Sequence, residues 1–567
     1  MKTLKYSLIL IISLFTIISC DEDKFLEEKP LSIYSPENSM ETSAQFQLSL
    51  NHLYNRVRYM IWSMDPDSRL ALYYATDMAF NATDYHIPAK LNDYKNVMVP
   101  TFSVVKNVWT YTYDVIANAN VILDRLPIAS QVSEDDAKVI RGEALFFRAY
   151  SYRNLCHLYG GVPLSLEEVT TPRRDYVRAS RTETYEQIRK DLEEAASLLP
   201  DVDKVKDGKV NKQVAQHLLS EIYISLGLHD DAICVASEVI NHPATGLMTE
   251  RFGSRKSEPG DVYWDLFRLD NQNRSSNGNT ETLWALQCEY QNVGSANWNM
   301  PWCMIPYYQN LQITAKNEAG EDIKTTAFAG VTDVKGGRGV GWMQGTEYFF
   351  NEIWDDQNDI RNSKYNIVRD FIIDNPNSPA FGKWLVADGY DKTIEDPIRY
   401  WFPLITKFSR VGNFPEDLRS TNSSGEPLMT AFGEHLMINN ANSNYKDEYM
   451  FRLAETYLLR AEAYLNKGDK NAAAADINML RTRAHAASIS TDQVDIDFIL
   501  DERLRELYYE ELRMVTLCRL GKLVDRNRRY NPKTGTSIEE HHNLWPIPYS
   551  EIERNVYEVI EQNPGYN

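Results

Sequence analysis

The sequence predicts a protein built mainly of α-helices, arranged as an α-superhelix of tetratricopeptide-like helix pairs with a loop-rich insertion that contains short strands. Three observations lead to this fold class. Apolar residues return every three or four positions over long stretches, one helix-turn-helix pattern occurs twice, and the middle of the chain is rich in glycine, asparagine, proline and aromatic residues. Stacked helix pairs present a concave surface, which is used for binding more often than for catalysis.

Size and composition favour a large globular protein. The chain has 567 residues, of which 43% are hydrophobic and 25% charged, as is typical of folded proteins. Its formal net charge is −20, so no basic surface that would hold nucleic-acid phosphates is expected. The six cysteines contain no C-x-x-C pair and predict neither a disulfide framework nor a zinc site.

The first 20 residues have the pattern of an export signal. Two lysines precede the apolar run 8–18, which is shorter than the about 20 residues that a membrane-spanning helix needs. The run ends at Ser19-Cys20, which resembles the lipobox of bacterial lipoproteins. Residues 1–19 are therefore predicted to be a signal peptide, Cys20 the lipidated N-terminus, and residues 20–44 a tether.

The acidic tripeptide Asp21-Glu22-Asp23 follows this cysteine and resembles the surface-export signal of Bacteroidetes lipoproteins. Two or more acyl chains anchor a protein stably, whereas one chain binds a membrane only marginally. The expected location is the outward-facing leaflet of an outer membrane, to which the lipid anchors the protein without embedding it.

A single domain is predicted for residues 45–567. Its helical frame consists of residues 45–242 and 447–567, where amphipathic periodicity dominates. Ser180 and Glu183 have the spacing of a capping box ahead of one of these helices.

One helix-turn-helix pattern occurs in both parts of the frame, at the spacing of a tetratricopeptide unit. Each copy has a glutamate, a tyrosine, a turn glycine and an alanine: Glu221, Tyr223, Gly227 and Ala232 in the first, and Glu462, Tyr464, Gly468 and Ala473 in the second. The glycine can adopt the left-handed backbone conformation that ends the first helix, and the small alanine lets the two helices approach closely.

The segment 243–446 separates the two parts of the frame and has little helical periodicity. It is predicted to be a loop-rich insertion with short strands and a few short helices. Irregular segments held by a rigid frame are where binding residues usually lie. The ligand site is therefore expected on this insertion.

Several blocks of residues, in a definite order, span most of the mature chain. They include Arg141-Gly142-Glu143-Ala144, Arg452-Leu453-Ala454-Glu455, Arg519-Leu520-Gly521 and Leu544-Trp545-Pro546-Ile547-Pro548. With the lipobox ahead of them, these blocks resemble the SusD/RagB family of outer-membrane glycan-binding lipoproteins. Thr516 departs from the pattern, because the family usually has aspartate there.

The resemblance implies a lipoprotein that sits over a SusC-type TonB-dependent outer-membrane transporter. Such a protein helps to deliver oligosaccharide into the transporter, or peptide in some branches of the family. The matching blocks place helices and turns, and they do not identify the ligand.

Enzyme signatures are absent from the sequence. There is no G-x-S-x-G, H-E-x-x-H or Walker A motif, and no cofactor or metal site is predicted. The glycine-rich stretch 336–341 lacks the spacing of a dinucleotide site and predicts a flexible loop. We therefore expect a binding protein without enzymatic activity.

Glu502, Glu506 and Glu510 lie four residues apart on one predicted helix face and could suggest catalysis. Glycosidases, however, need two carboxyl groups that face each other across a cleft. Arg503 and Arg505 lie beside these glutamates, so ion pairs that hold the helix to its neighbours are the favoured interpretation.

Loop aromatics and nearby carboxylates are the candidate ligand-binding residues, because a sugar ring offers an apolar face and a polar rim. The candidates are Trp62, Asp65, Asp67, Asp77, Trp298, Trp302, Tyr307 and Tyr400. Trp302 and Tyr307 would form the platform, and the three aspartates would accept hydrogen bonds from hydroxyl groups. The competing interpretation is that these rings fill the interior beneath long loops.

Three alternative functions stay open at this point. The protein could be a peptide-binding member of the same family, or a protein-binding scaffold without a small ligand. It could also be an extracellular glycoside hydrolase on a helical frame, with carboxylates that meet in a cleft that the sequence does not reveal.

Overall fold

A computed structural model of the chain describes residues 40–63, 66–82, 89–292, 294–295 and 300–566. The expectations for the signal peptide and for Cys20 fall outside these residues. Within them the fold class is confirmed, because long helices dominate and the strands are few and short. No helix in these ranges combines the length and the apolar character that a bilayer span requires.

The first part of the frame is helical up to Ile240. Its helices are α1 (Ser43–Arg58), α2 (Pro66–Leu70), α3 (Tyr94–Val97), α4 (Ser103–Arg125), α5 (Glu134–Tyr159), α6 (Arg181–Leu198), α7 (Lys212–Ser225) and α8 (His229–Ile240). The predicted capping box of Ser180 and Glu183 is present at the start of α6.

Helix α5 is the centre of this part. Every residue from Gly142 to Tyr159 is buried, and the helix packs against α1, α4 and α6. Its buried arginines are paired: Arg148 donates to Asp191, and Arg153 donates to Glu221. A helix that is buried all round is stable only if its charged groups find such partners.

The segment that follows contains α9 (Val262–Leu266), α10 (Arg274–Asn277) and α11 (Met300–Met304). The strands are β1 (Ala79–Asn81), β2 (Thr282–Leu286), β3 (Gln312–Lys316), β4 (Asp322–Thr326), β5 (Met343–Gly345), β6 (Ile367–Val368), β7 (Leu404–Ile405) and β8 (Glu448–Arg452). They form antiparallel pairs, β1 with β5, β2 with β8, β3 with β4 and β6 with β7. Isolated two-stranded ribbons are marginally stable, so these pairs depend on the frame for support.

The second part of the frame begins directly after β8. Its helices are α12 (Leu453–Lys467), α13 (Lys470–Arg483), α14 (Ile496–Leu507), α15 (Arg513–Leu520), α16 (Leu523–Tyr530) and α17 (Tyr549–Arg554).

The repeated sequence pattern forms two matching helix pairs, α7 with α8 and α12 with α13. The turn glycines Gly227 and Gly468 have φ angles of 78° and 89°, in the left-handed region that favours glycine. The two pairs lie far apart in the sequence but pack against each other through a small apolar cluster. That cluster consists of Ile224, Ala232, Leu459 and Ala463.

The repeated glutamates attach the two helix pairs to other helices. Glu221 accepts two hydrogen bonds of 2.7 Å from Arg153 of α5. Glu462 accepts two, of 2.7 and 2.5 Å, from Arg519 of α15. Bidentate pairs of this kind combine charge with a fixed geometry, so each pair is held in place by a different neighbour.

Glu502 and Glu506 lie on α14 and are buried, whereas Glu510 follows the end of the helix at Leu507 and is half-buried. The predicted helix face therefore holds only the first two glutamates. All three form ion pairs with several elements, which confirms the interpretation favoured above. Glu502 pairs with Arg361, Arg481 and Arg505, Glu506 with Arg361, Arg452 and Arg483, and Glu510 with Arg452 and Lys407. Arg503, which adjoins Glu502 in the sequence, does not pair with these glutamates. It pairs with Glu455 and Glu511.

The pKa of Glu502 reflects this pairing. Burial alone would raise the pKa, but the nearby guanidinium groups outweigh it and lower the pKa from 4.5 to about 2. The carboxylate is therefore ionised under ordinary conditions and acts as the counter-charge of its arginines.

We predict that Glu502→Gln destabilises the protein by about 3–5 kcal/mol at neutral pH, because buried arginines lose their counter-charge. The folded-state pKa is lowered, so the contribution of Glu502 is complete above about pH 4.5 and is lost as the pH falls toward 2. The stability difference between wild type and variant should therefore shrink over that range. Urea unfolding at several pH values measures it.

The matched control is Glu416→Gln. The Glu416 side chain is 89% exposed and lies 3.5 Å from Arg419, and such surface pairs contribute about 0–1 kcal/mol. A loss of stability for Glu502→Gln no larger than that of the control would contradict the structural role of α14.

Candidate ligand-binding site

The structure brings three of the predicted ligand-binding residues into one region of the insertion: Trp302, Tyr307 and Tyr400. Asp65 and Trp298 lie outside the described residues, and so do the side chains of Trp62 and Asp67.

Asp77 has a different role from the one expected of it. Its side chain is fully buried and accepts hydrogen bonds of 2.7 to 2.9 Å from Arg513 and Arg526. Burial alone would raise the pKa of Asp77, but these two guanidinium groups hold it well below its usual range. The carboxylate binds the C-terminal helices α15 and α16 and is not available to a ligand.

Trp302 pairs with a second tryptophan. The ring centroids of Trp302 and Trp342 are 5.0 Å apart at an interplanar angle of 43°, and both residues are half-buried. The guanidinium carbon of Arg338 lies 5.5 Å from the Trp302 ring. The Nε1 atom of Trp302 is buried and has no acceptor, so this pair holds an unused hydrogen-bond donor.

Tyr307 and Tyr400 form a second pair of rings. They stack with centroids 5.5 Å apart and planes at 28°, and both are half-buried. The guanidinium carbon of Arg399 lies 4.7 Å from the Tyr307 ring and 5.8 Å from the Tyr400 ring. A groove of about 250 Å³ beside Tyr400 has a polar lining that includes Asn310, Lys324, Thr393, Glu395 and Asp396.

The glycine-rich loop 336–341 joins the two pairs of rings. Val340 N–H donates to the carbonyl of Trp302 at 2.9 Å, and Arg399 Nε donates to the carbonyl of Val340 at 3.0 Å. A side chain on Gly339 would place its Cβ 2.1 Å from the carbonyl oxygen of Pro306. The prediction of a flexible loop is therefore wrong, because close backbone packing holds it.

We call these six residues the aromatic ledge: Trp302, Trp342, Tyr307, Tyr400, Arg338 and Arg399. Tyr400 packs on the apolar cluster of the insertion, and Trp342 packs on the main core. The ledge is therefore supported from both sides, and its four aromatic residues are each half-buried. Rings with guanidinium donors beside them suit a ligand that has both apolar C–H faces and hydroxyl groups.

Sequence reasoning did not assign Trp342, Arg338 and Arg399 to the site. A signal was present for each of them, since Arg338 and Trp342 are in or directly after the glycine-rich loop and Arg399 precedes Tyr400. Cys303, next to Trp302, packs in the main apolar core, and burial raises the pKa of its thiol to about 11.

One group of described residues has the spacing of metal ligands: Asp201, Asp203 and His242. Its acidic members already have partners. Lys204 Nζ donates to Asp203 at 2.7 Å, and Gln213 Nε2 donates to Asp201 at 2.9 Å. We therefore assign no metal to this group.

The frame and the ledge together define a helical binding protein that holds its candidate ligand surface on an irregular insertion. A family model described as the SusD family matches residues 270–566, which is more than half of the chain. A SusD-like model, described as starch-binding associating with outer membrane, matches residues 24–224. The chain belongs to the SusD family, as its motif blocks indicated.

Curated relatives cover the whole chain or a part of it. SusD-like protein P25 of Formosa agariphila is 25% identical over 587 aligned residues, which cover 98% of each chain. The starch-binding protein SusD of Bacteroides thetaiotaomicron is 38% identical over 121 residues, which cover 21% of each chain.

Solved structures share the fold. A laminarin-binding SusD-like protein matches with a TM-score of 0.63 and 22% identity, covering 93% of this chain and 100% of the other. A SusD homologue from Bacteroides thetaiotaomicron matches with a TM-score of 0.66 and 18% identity, covering 94% of this chain and 98% of the other. At this level of identity the likeness concerns the fold alone.

We predict that Gly339→Ala destabilises the protein by about 1–3 kcal/mol, because the new methyl group would overlap the backbone of Pro306. Gly330→Ala is the matched control, since its nearest contact is an ordinary 3.5 Å to Leu436. Urea unfolding of both variants measures the difference. Equal stability of the two variants would contradict the close packing of this loop.

Proposed function

We propose that this protein is a surface-exposed outer-membrane lipoprotein. It binds extracellular oligosaccharide or polysaccharide and delivers it to a partner TonB-dependent transporter of the SusC type. The observation that carries the proposal is the aromatic ledge, where four rings and two arginines meet on one supported loop system.

The chemistry of the ledge supports a glycan as ligand. The accessible parts of Trp302 and Tyr307 can pack on the C–H face of a sugar, while Arg338 and Arg399 donate hydrogen bonds to its hydroxyl groups. The groove beside Tyr400 supplies amide, hydroxyl and carboxylate groups for the polar rim. The names of two relatives, a starch-binding and a laminarin-binding protein, support the same ligand class.

Binding without catalysis is the second element of the proposal. Glu502 and Glu506 of α14, and Glu510 just after it, are held as counter-charges of buried arginines. Asp77 is held in the same way. In a glycosidase, two carboxyl groups face each other across the substrate cleft. The carboxylates named here are instead engaged with arginines.

Lipidation of Cys20 would attach the protein to the membrane. Removal of residues 1–19 takes away Lys2 and Lys5, so the formal net charge changes from −20 to −22. Anionic lipid surfaces attract polybasic segments, and a chain of this charge has no comparable attraction. The acyl chains must therefore supply the anchor, with the residues between Cys20 and the start of α1 at Ser43 as the tether.

We predict that Trp302→Ala and Tyr307→Ala each weaken glycan binding about tenfold, because each removes a stacking surface worth on the order of 1 kcal/mol. Titration calorimetry with laminarin, starch fragments and peptides as ligands measures this. Tyr557→Ala is the control, because Tyr557 is 76% exposed and is not part of the ledge. Melting temperatures of all variants establish that they are folded.

The same titrations separate the alternatives. If peptides bind and no glycan binds, the ligand is a peptide and the proposed glycan is wrong. Cleavage products after long incubation with a bound glycan would indicate a hydrolase. Unchanged affinity of both ledge variants would exclude the ledge as the glycan site.

We also predict that Cys20→Ser abolishes incorporation of labelled palmitate and releases the protein from the outer-membrane fraction, because the thiol is the acyl acceptor. Protease treatment of intact cells tests the surface location, and wild-type protein should be digested. A Cys20→Ser protein that stays in the outer-membrane fraction would contradict lipid anchoring.

A further inference from the structure

A second cavity, of about 790 Å³, lies where the end of α1 meets the insertion. The residues that matter for its chemistry are Arg58, Asp270, Tyr290, Arg410, Tyr445 and Asp447. We call it the Arg410 cleft. None of the six residues of the aromatic ledge lines it, so it is a separate cavity.

Arg410 is the first unusual feature of this cleft. It is 8% exposed, and its Nε and Nη1 atoms are buried without a hydrogen-bond acceptor. Burial lowers the pKa of this guanidinium group. Buried charged donors are normally paired, and an unpaired one destabilises a fold. Because Arg410 lines a cavity, these free donors are placed where they can bind a ligand.

The backbone around the cleft is the second, independent feature. Among the described residues, eight that are not glycine have φ in the left-handed region. Four of them are at this cleft: Asp270 (67°) and Tyr445 (51°) line it, and Gln291 (58°) and Val411 (29°) adjoin lining residues. Such strained conformations are rare and cluster at functional sites.

The side chains of the cleft form an aromatic wall with mixed polar groups. Tyr290 and Tyr445 pack edge to face with centroids 4.7 Å apart. Asp447 accepts hydrogen bonds of 2.7 Å from Asn273 Nδ2 and from Cys288 N–H. Rings, donors and acceptors together are the groups that bind a sugar unit.

The charges of the cleft favour a neutral ligand. Its two arginines are balanced by three carboxylates, those of Asp270, Glu289 and Asp447. There is no excess positive charge to attract an anion, and the protein as a whole carries −20. Hydroxyl groups can use both kinds of partner, because each donates one hydrogen bond and accepts others.

We propose that the Arg410 cleft is a second saccharide subsite, which takes a neutral sugar unit of the same glycan that binds the aromatic ledge. This inference rests on the proposed function. Arg410 donates to hydroxyl oxygens of the sugar, Asp270 accepts from its hydroxyl groups, and Tyr290 contacts its C–H face.

The ledge and the cleft are joined by one loop. A Cβ on Gly336 would lie 2.8 Å from Ser409 Oγ, and one on Gly337 would lie 3.0 Å from the ring of Phe414. The loop that carries Arg338 of the ledge is therefore packed against residues next to Arg410. A long glycan that reaches both sites gains affinity from the second contact, because that contact is intramolecular.

The test compares wild type with Arg410→Met over a series of neutral oligosaccharides of increasing length, using titration calorimetry. Wild-type affinity should rise steeply once the ligand spans both sites. Arg410→Met should remove this rise and bind the longest ligand about tenfold more weakly. Tyr290→Ala, at the half-buried wall of the cleft, should have the same effect. Affinities equal to wild type for both variants at every length would overturn the inference.

Thermal unfolding separates a binding role from a structural one. Arg410→Met should leave the melting temperature unchanged or raise it, because it removes buried donors that lack acceptors. Arg268→Met is the matched control and should lower it, because Arg268 donates to the carbonyls of Trp264 and Thr406 at 3.1 and 2.8 Å. A comparable loss for Arg410→Met would assign Arg410 to the fold and overturn its ligand role.

Two further outcomes distinguish this inference from the proposed function. If wild type binds no glycan, both fail. If wild type binds glycans and only the ledge variant Trp302→Ala weakens binding, the proposed function stands and the second subsite is contradicted. An acidic oligosaccharide that binds the cleft more tightly than a neutral one of equal length would overturn the neutral assignment.

Discussion

Buried pairs of arginine and glutamate are the interaction on which this fold depends. Charges that leave water are stable inside a protein only when they are paired and hydrogen-bonded. The glutamates of α14 meet this condition with Arg361 from the insertion, Arg452 from β8 and Arg483 from the end of α13. Each of these side chains reaches α14 from a different part of the chain, so the pairs fix the relative positions of frame and insertion.

This fixed frame explains how an irregular insertion can hold a binding surface. The short strand pairs β1 with β5 and β2 with β8 connect the insertion to the first and second parts of the frame. Close backbone packing around Gly339 then holds the loop that joins the rings of the aromatic ledge. The rings are thus positioned by rigid neighbours, which limits the ordering that a ligand must impose on binding.

Buried arginines of the frame form ion pairs with carboxylates, whereas Arg410 in the cleft has buried donors without acceptors. In the frame, the two Nη atoms of Arg519 donate to the two carboxylate oxygens of Glu462, and only its Nε is left without an acceptor. In the cleft, Arg410 has buried donors without acceptors, and the adjoining Val411 has a left-handed backbone. Local departures of this kind lower stability and are retained where a site needs them.

The sequence by itself determined the helix pairs, because periodicity, capping residues and turn glycines such as Gly227 and Gly468 act over a few neighbouring positions. It also marked Trp302, Tyr307 and Tyr400 as a group of loop aromatics. Only the tertiary structure decided that Asp77 pairs with Arg513 and Arg526, and that the Nε and Nη1 atoms of Arg410 have no acceptor. These contacts join or separate residues that are far apart in the chain, and no local pattern records which distant side chains meet when the chain folds.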